Sequence, residues 1–242
     1  MPPLNPALAR TLALLWCLLP AAARSEPTPV VAATPVTNTL AQRVTACTVC
    51  HGKEGRATNQ GYFPRIAGKP AGYLYNQLIN FREGRRDYPL MTYLVEHLSD
   101  AYLLEIAQHF AAQDLPYPMP QPPTASPDAM ARGEALVRHG DATAKIPACV
   151  QCHGHALTGM QPATPGLLGL SRDYLNGQLG SWRTGHRRAT APDCMAKITS
   201  ALALEDISAL SSWLSTQVVP QPAHAAERPT ASLPLPCGSA LK

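Results

Sequence analysis

Aromatic side chains are scarce. Three phenylalanines and three tryptophans in 242 residues are few with which to fill a chain long enough for one large domain or two ordinary ones. Something other than aromatic rings is therefore expected in the interior. Runs of lysine or arginine are absent and the net charge is only +4, so nothing argues for a nucleic-acid partner. Beyond the N-terminus no apolar stretch is long enough to cross a bilayer. The chain has no Ser/His/Asp arrangement, phosphate loop or carboxylate pair with a claim to catalysis, and no small-molecule substrate is expected. Glu54, Glu83 and Asp173 read as solvated. What is plentiful is proline, with 25 residues, about twice ordinary usage, which predicts long extended linkers.

The first residues do not belong to the fold. Arg10 precedes an apolar run from Thr11 to Pro20, and Ala21-Ala22-Ala23 follows. A basic start, a short apolar run and a small-residue cleavage site describe a secretory signal over residues 1–23, with 24–36 as a linker. The run is too short for a membrane span, and bulky Trp16 before Cys17 suits lipoprotein processing badly. Export to the periplasm is expected, with membrane association if the signal is retained.

Four of the seven cysteines sit in Cys47-Thr-Val-Cys50-His51 and Cys149-Val-Gln-Cys152-His153. C-x-x-C-H is the pattern of c-type haem attachment. Two cysteines three apart on one helical turn face the same way and can add to the two vinyl groups of one porphyrin. The adjacent histidine then lies under the iron as its proximal ligand. A zinc site would draw four ligands from one locus, whereas these pairs lie 102 residues apart. A thioredoxin-like redox pair has no need of histidine at the next position in both copies. Two covalent haem c groups are the expected cofactors.

The chain also repeats itself. Phe63-Pro64-Arg-Ile66-Ala-Gly68 aligns with Thr164-Pro165-Gly-Leu167-Leu-Gly169. Without a gap, Tyr73-Leu74-x-x-Gln77-Leu78-x-x-Phe81-Arg82-x-Gly84-x-Arg86 meets Tyr174-Leu175-x-x-Gln178-Leu179-x-x-Trp182-Arg183-x-Gly185-x-Arg187. Leu98, Leu103, Ile106 and Phe110 then meet Leu202, Ile207, Leu210 and Leu214. One domain has been duplicated. Apolar residues at helical spacing make each copy mostly helical, with Gly84 or Gly185 stopping one helix and Ser99 or Asp100 starting another. A helix from Asp128 to His139, capped by Ser126-Pro127, precedes the second haem motif, and a shorter counterpart at 37–47 precedes the first. The expected architecture is all-α: domain 1 over 37–114, a stiff Pro-rich linker over 115–127 and domain 2 over 128–217. The Pro/Ala-rich tail over 218–242 is expected to lack fixed structure of its own.

The repeat also assigns the sixth iron ligand. A ligand used by both copies must occupy equivalent positions. Met119, Met130 and Met160 have no methionine opposite them, and His97, His109, His139, His155 and His186 fall opposite other residues. Only Met91 and Met195 match, 40 and 42 residues after His51 and His153. The competing role, a thioether filling a core gap, does not require matched positions. His/Met ligation raises the reduction potential and closes the iron to substrates.

Over about residues 37–217 these motifs resemble the dihaem class I cytochromes c of the cytochrome c-four type. The resemblance implies two haem domains packed together that carry electrons in the periplasm, often towards a terminal oxidase. It further implies that the Pro64 and Pro165 carbonyls accept a hydrogen bond from the ring N–H of His51 and His153, fixing each imidazole. Lys69 and Leu170 depart from the glutamine usual after the turn in that family. Arg82, Arg86, Arg183 and Arg187 are open to two roles, pairing with haem propionates or a docking partner, or plain solvated surface.

With the signal removed and four thioethers formed, Cys194 and Cys237 remain. In an oxidising compartment they are expected to form a disulfide. The alternatives are two free thiols, or Cys194 beside Met195 as a different iron ligand. The leading function is a periplasmic electron carrier whose partners are redox proteins, an electron donor and an acceptor such as a membrane oxidase or dehydrogenase. A cytochrome subunit of a periplasmic dehydrogenase is the second reading. A dihaem oxidoreductase or peroxidase with one open iron is the third.

Overall fold

The structure, a computed structural model, describes residues 38–58, 61–227 and 232–240. The expected signal over 1–23 and linker over 24–36 lie outside the described residues. In the first copy the helices are α1 (Leu40–Arg43), α2 (Thr45–His51), α3 (Ala71–Arg82), α4 (Pro89–Val95) and α5 (Asp100–Ala111). The second copy has α6 (Pro127–His139), α7 (Cys149–His153), α8 (Arg172–Arg183), α9 (Cys194–Ala201) and α10 (Leu204–Ser215). Its one small hairpin pairs β1 (Gly159–Met160) with β2 (Thr164–Pro165).

Local chemistry sets the helix boundaries. Ser99, Ser126, Ser171 and Asp193 each accept a backbone N–H three residues on, capping α5, α6, α8 and α9. Gly84 (φ 67°) and Gly185 (φ 80°) follow the ends of α3 and α8 in the left-handed region, which costs glycine little. The shorter counterpart expected over 37–47 is not one helix: α1 ends at Arg43, and α2 begins at Thr45 and runs on through the first haem motif. Val44 (φ −88°, ψ 5°) breaks the run between α1 and α2.

In each copy the long helices close on the attachment helix. Leu74, Ile106, Ala107 and Phe110 bury one side of α3 and α5, with Cys47 of α2 packed against them. Leu136, Val137, Leu175, Ile207, Leu210, Trp213 and Leu214 bury the facing sides of α6, α8 and α10, with Cys149 and Val150 of α7 alongside. Each fully buried aliphatic side chain here contributes about 1.5–3 kcal/mol. Helices α6 and α10 cross closely at Gly133, where a Cβ would sit 2.3 Å from the Ala209 carbonyl oxygen. Only glycine fits.

Residues 37–242 form one unit, and the two copies meet along a seam of matched residues. Arg86 and Arg187 form an antiparallel bridge, flanked by Asp87 N–H to His186 O (2.7 Å) and Arg188 N–H to Arg85 O (2.6 Å). The Arg86 guanidinium donates to Gln77 of its own copy (3.0 Å) and to Gln178 (2.6 Å) and Tyr174 (3.2 Å) of the other. The Arg187 guanidinium mirrors it, donating to Gln178 (2.7 Å), Gln77 (2.9 Å) and Tyr73 (3.3 Å). The seam therefore has approximate two-fold symmetry.

The linker is extended and held at several points. Buried Arg65 donates to the carbonyls of Leu115 (2.5 Å) and Pro116 (3.0 Å) and lies 4.0 Å over the Tyr117 ring. Gln121 N–H donates to Ser215 O (2.9 Å). The tail departs from the expectation that it lacks structure. Ala226 exchanges backbone hydrogen bonds with Gly159 and Gln161 (2.9 and 2.8 Å). Cys237 is disulfide-bonded to Cys194, Gly238 N–H donates to Pro192 O (2.9 Å) and Asn76 of α3 donates to Ser239 O (3.1 Å). The described parts of this segment, which has no core of its own, borrow their partners from both copies.

Candidate functional site

The haem motifs lie where a short helix meets a loop carbonyl. His51 ends α2, and its Nδ1 lies 2.9 Å from the Pro64 carbonyl oxygen. His153 ends α7, with Nδ1 2.7 Å from the Pro165 oxygen. A carbonyl can only accept, so each Nδ1 carries the proton and each Nε2 keeps its lone pair, the tautomer that binds a metal. Burial holds the pKa of both imidazoles below the usual histidine value, with the proline carbonyl opposing. Burial likewise raises the Cys47 thiol and pushes Cys149 up to about 12.

In the first copy a cavity of about 580 Å³ is lined by Cys47, Cys50, His51 and Met91 together. Met91 is the third residue of α4 and packs against Phe81, Val95 and Leu103. Tyr62, Leu90 and Leu94, all exposed, line the same cavity. Gln178 and Arg187 of the other copy also line it. In the second copy Met195 is the second residue of α9, next to the Cys194–Cys237 disulfide. Cys194 is thus engaged with Cys237. Met160, by contrast, is buried in β1 opposite Thr164, close to Gly154 just after His153.

The residues suit a haem. Two thiols, an imidazole with a free Nε2 and a thioether are its covalent and axial donors. The Trp182 indole N–H is buried with no acceptor among the described residues, and a haem carboxylate would supply one. Buried Lys69 and Arg187 have no carboxylate partner among the described residues. Burial lowers the pKa of each. Burial works against the Tyr73 phenolate, yet Arg187, Arg86 and Lys69 together bring its hydroxyl below the usual tyrosine range.

The four repeat-matched arginines separate into two pairs. Arg86 and Arg187 build the seam and line the first cavity. Arg82 and Arg183 instead donate to the carbonyls of Leu98 (2.9 Å) and Leu202, just ahead of the last helix of each copy. They brace the chain that returns from the methionine helix. In the sequence, Gln77, Gln178, Tyr73 and Tyr174 read only as part of a helix pattern. The signal lay in their polarity, since identical polar residues in both copies are not needed for a core.

A scan against protein-family models finds no match. Among curated proteins, cytochrome c4 of Pseudomonas aeruginosa is 34% identical over 71% of this chain and 84% of its own length. The chain belongs to the cytochrome c4 family. The thiosulfate dehydrogenase electron acceptor of Stutzerimonas stutzeri is 35% identical over 70% of this chain and 78% of its own length. The crystal structure of reduced cytochrome c4 from Pseudomonas stutzeri matches with a TM-score of 0.62 and 31% identity, over 72% of this chain and 94% of that one. This chain is accordingly an all-α dihaem cytochrome with two covalent haem c groups, and it functions as an electron carrier among redox proteins.

Proposed function

We propose that this chain is a periplasmic carrier with one His/Met haem in each copy, receiving electrons from a sulfur-oxidising dehydrogenase of the thiosulfate class. Cys47 and Cys50 hold the first haem and Cys149 and Cys152 the second. His51 with Met91, and His153 with Met195, ligate the two irons. When bound, each haem supplies a one-electron couple. The observation that carries the reading is the paired geometry. Both histidines give Nδ1 to a proline carbonyl, and both repeat-matched methionines open a short helix.

The protein's own groups do the rest. The proline carbonyls fix the imidazole planes, Arg82 and Arg183 hold the chain that follows each methionine, and apolar side chains such as Leu74, Leu78 and Phe81 line the first cavity. Two haems across one seam suit a donor that gives up two electrons per turnover. The exposed rim at Tyr62, Leu90 and Leu94 is where a partner comes closest to the first haem. The donor class is supported by the acceptor protein of Stutzerimonas stutzeri.

The test has two stages. A redox-titrated visible and near-infrared spectrum of the purified protein should count two haems and display sulfur-to-iron bands for both. Stopped-flow mixing with a thiosulfate dehydrogenase and thiosulfate should then reduce both haems. Two haems without sulfur bands would overturn the ligand set, and no reduction by that enzyme would overturn the donor.

A further inference from the structure

The repeat sets Met91 opposite Met195, yet the two copies hold the helices that carry them by different means. In the first, α4 brings Met91 against an apolar cluster of Phe81, Val95 and Leu103. The residue opposite Val95 is Thr199. It is fully buried, and its hydroxyl donates within α9 to the carbonyls of Met195 (3.0 Å) and Ala196 (3.3 Å). Threonine does not replace valine in a core, because a hydroxyl stands where a methyl group would pack. Ile198 and Leu202 pack the far half of α9 into the second core, which leaves the Met195 end to other means. Asp193 caps that end but reaches only Ala189 and Ala196, its neighbours in sequence. The approach is also longer, eight residues from Arg187 to Met195 against five from Arg86 to Met91, and a longer loop fixes its end at a higher entropic cost. What the second copy has instead is a strap. Cys194, opposite the exposed Leu90, is bonded to Cys237 of the tail. Gly238 N–H donates to Pro192 O (2.9 Å), and a Cβ on Gly238 would lie 2.2 Å from the Ala191 carbonyl oxygen. Asn76, on α3 of the first copy, donates to Ser239 O (3.1 Å), and Ala240 is buried. The first residue of α9 is thereby tied to a helix of the other copy.

We propose that the Cys194–Cys237 disulfide is the latch that keeps Met195 in place as the second iron's ligand, a task that apolar packing performs for Met91 in the first copy. This inference rests on the proposed His/Met ligation of both irons. The groups behind a metal ligand fix its orientation and its hold on the metal. For Met195 those groups are the strap and its anchors at Pro192 and Asn76. Cys194 and Cys237 touch neither iron and are positioning residues. With the strap closed, the second site is shut to outside ligands. With it open, the start of α9 is loosely held, and the site admits a small neutral ligand such as carbon monoxide. The first site keeps its own cluster and stays shut. The tail thus decides whether the second copy is a closed carrier or an open haem site.

The experiment compares the holoprotein with the double variant Cys194→Ser, Cys237→Ser, at a temperature where circular dichroism shows the helices of both intact. The variant should keep both covalent haems but show the near-infrared sulfur-to-iron band of one haem only. Its ferrous form should take up carbon monoxide at one haem, and the wild type should take up none. Adding Met195→Ala to the variant should change neither reading, whereas adding Met91→Ala should abolish the remaining band. A disulfide that merely stabilised the folded chain would move neither. Wild-type protein reduced with a phosphine and capped with N-ethylmaleimide gives the same readings where the variant folds poorly. Two intact bands without carbon monoxide uptake, or a loss that falls on the first haem or on both, would overturn the proposal. A wild type without two sulfur bands would instead overturn the ligand set beneath it, before any variant is made.

Discussion

Arg86 and Arg187 share a backbone bridge, and each guanidinium reaches the glutamine of the opposite copy, Arg86 to Gln178 at 2.6 Å and Arg187 to Gln77 at 2.9 Å. Arg187 also lies 3.7 Å over the Trp182 ring. Replacing Arg187 with Ala should therefore cost at least about 2 kcal/mol, because buried hydrogen bonds to a charged group are lost and their acceptors stranded. Calorimetry of the holoprotein should register this as a lower melting temperature and a loss of cooperativity between the copies. An unaltered single transition would mean that the seam contributes nothing.

Met91→Ala and Met195→Ala should each remove the sulfur-to-iron band of one haem and lower only that haem's potential. The reason is positional, since each methionine opens the short helix ahead of its copy's last helix. Near-infrared spectra of the two oxidised variants decide it. If both bands persist in both variants, the axial assignment is wrong.

The Cys194–Cys237 disulfide spans a sequence separation of 43. Closing a loop of that size restricts the unfolded chain by up to about 4 kcal/mol. The double variant Cys194→Ser, Cys237→Ser should melt earlier and lose its tail faster to a non-specific protease. Mass spectrometry of the unreduced wild type after alkylation should find neither cysteine modified. Two alkylated cysteines would remove the bond from the account.

Gly133→Ala places a methyl group 2.3 Å from the Ala209 carbonyl oxygen and 2.9 Å from the Trp213 Cβ. Overpacking of this kind costs about 1–3 kcal/mol, and here it forces α6 and α10 apart. Hydrogen exchange should report faster opening in α6 and α10 with α3 and α5 unaffected. Equal protection throughout would show that the crossing can relax.

Much of the site was legible because duplication lets a sequence be read twice. Both proline turns lie where their carbonyls meet the motif histidines, and in the first copy Cys47, Cys50, His51 and Met91 line one cavity. The Ser126-Pro127 start of α6 was legible as well, because a cap acts through neighbouring residues. What escaped was non-local. Arg82 and Arg86 lie on one stretch, yet one braces Leu98 and the other crosses to Gln178, and no periodicity separates those roles. The break at Val44 was hidden too, since nothing in the local composition forbids one continuous helix. The tail misled for a related reason. Its Pro/Ala composition forbids a core of its own, but Gly159, Pro192 and Asn76 supply its hydrogen-bond partners from far away in sequence.

A surface that pairs with its own duplicate is self-complementary. Tyr, Gln and Arg at corresponding places in each copy contact the Gln and Arg of the other, so a freed single copy already carries both halves of the contact. That is the geometry of an isologous dimer between identical subunits. Two separate one-haem chains could have met in this way before any linker joined them. The peptide over 115–127 then fixes stoichiometry and raises local concentration at a contact that identical surfaces already specify. Once the copies share one chain, a residue can differ between the two sides, as Lys69 and Leu170 do, and the two faces of the contact are free to diverge.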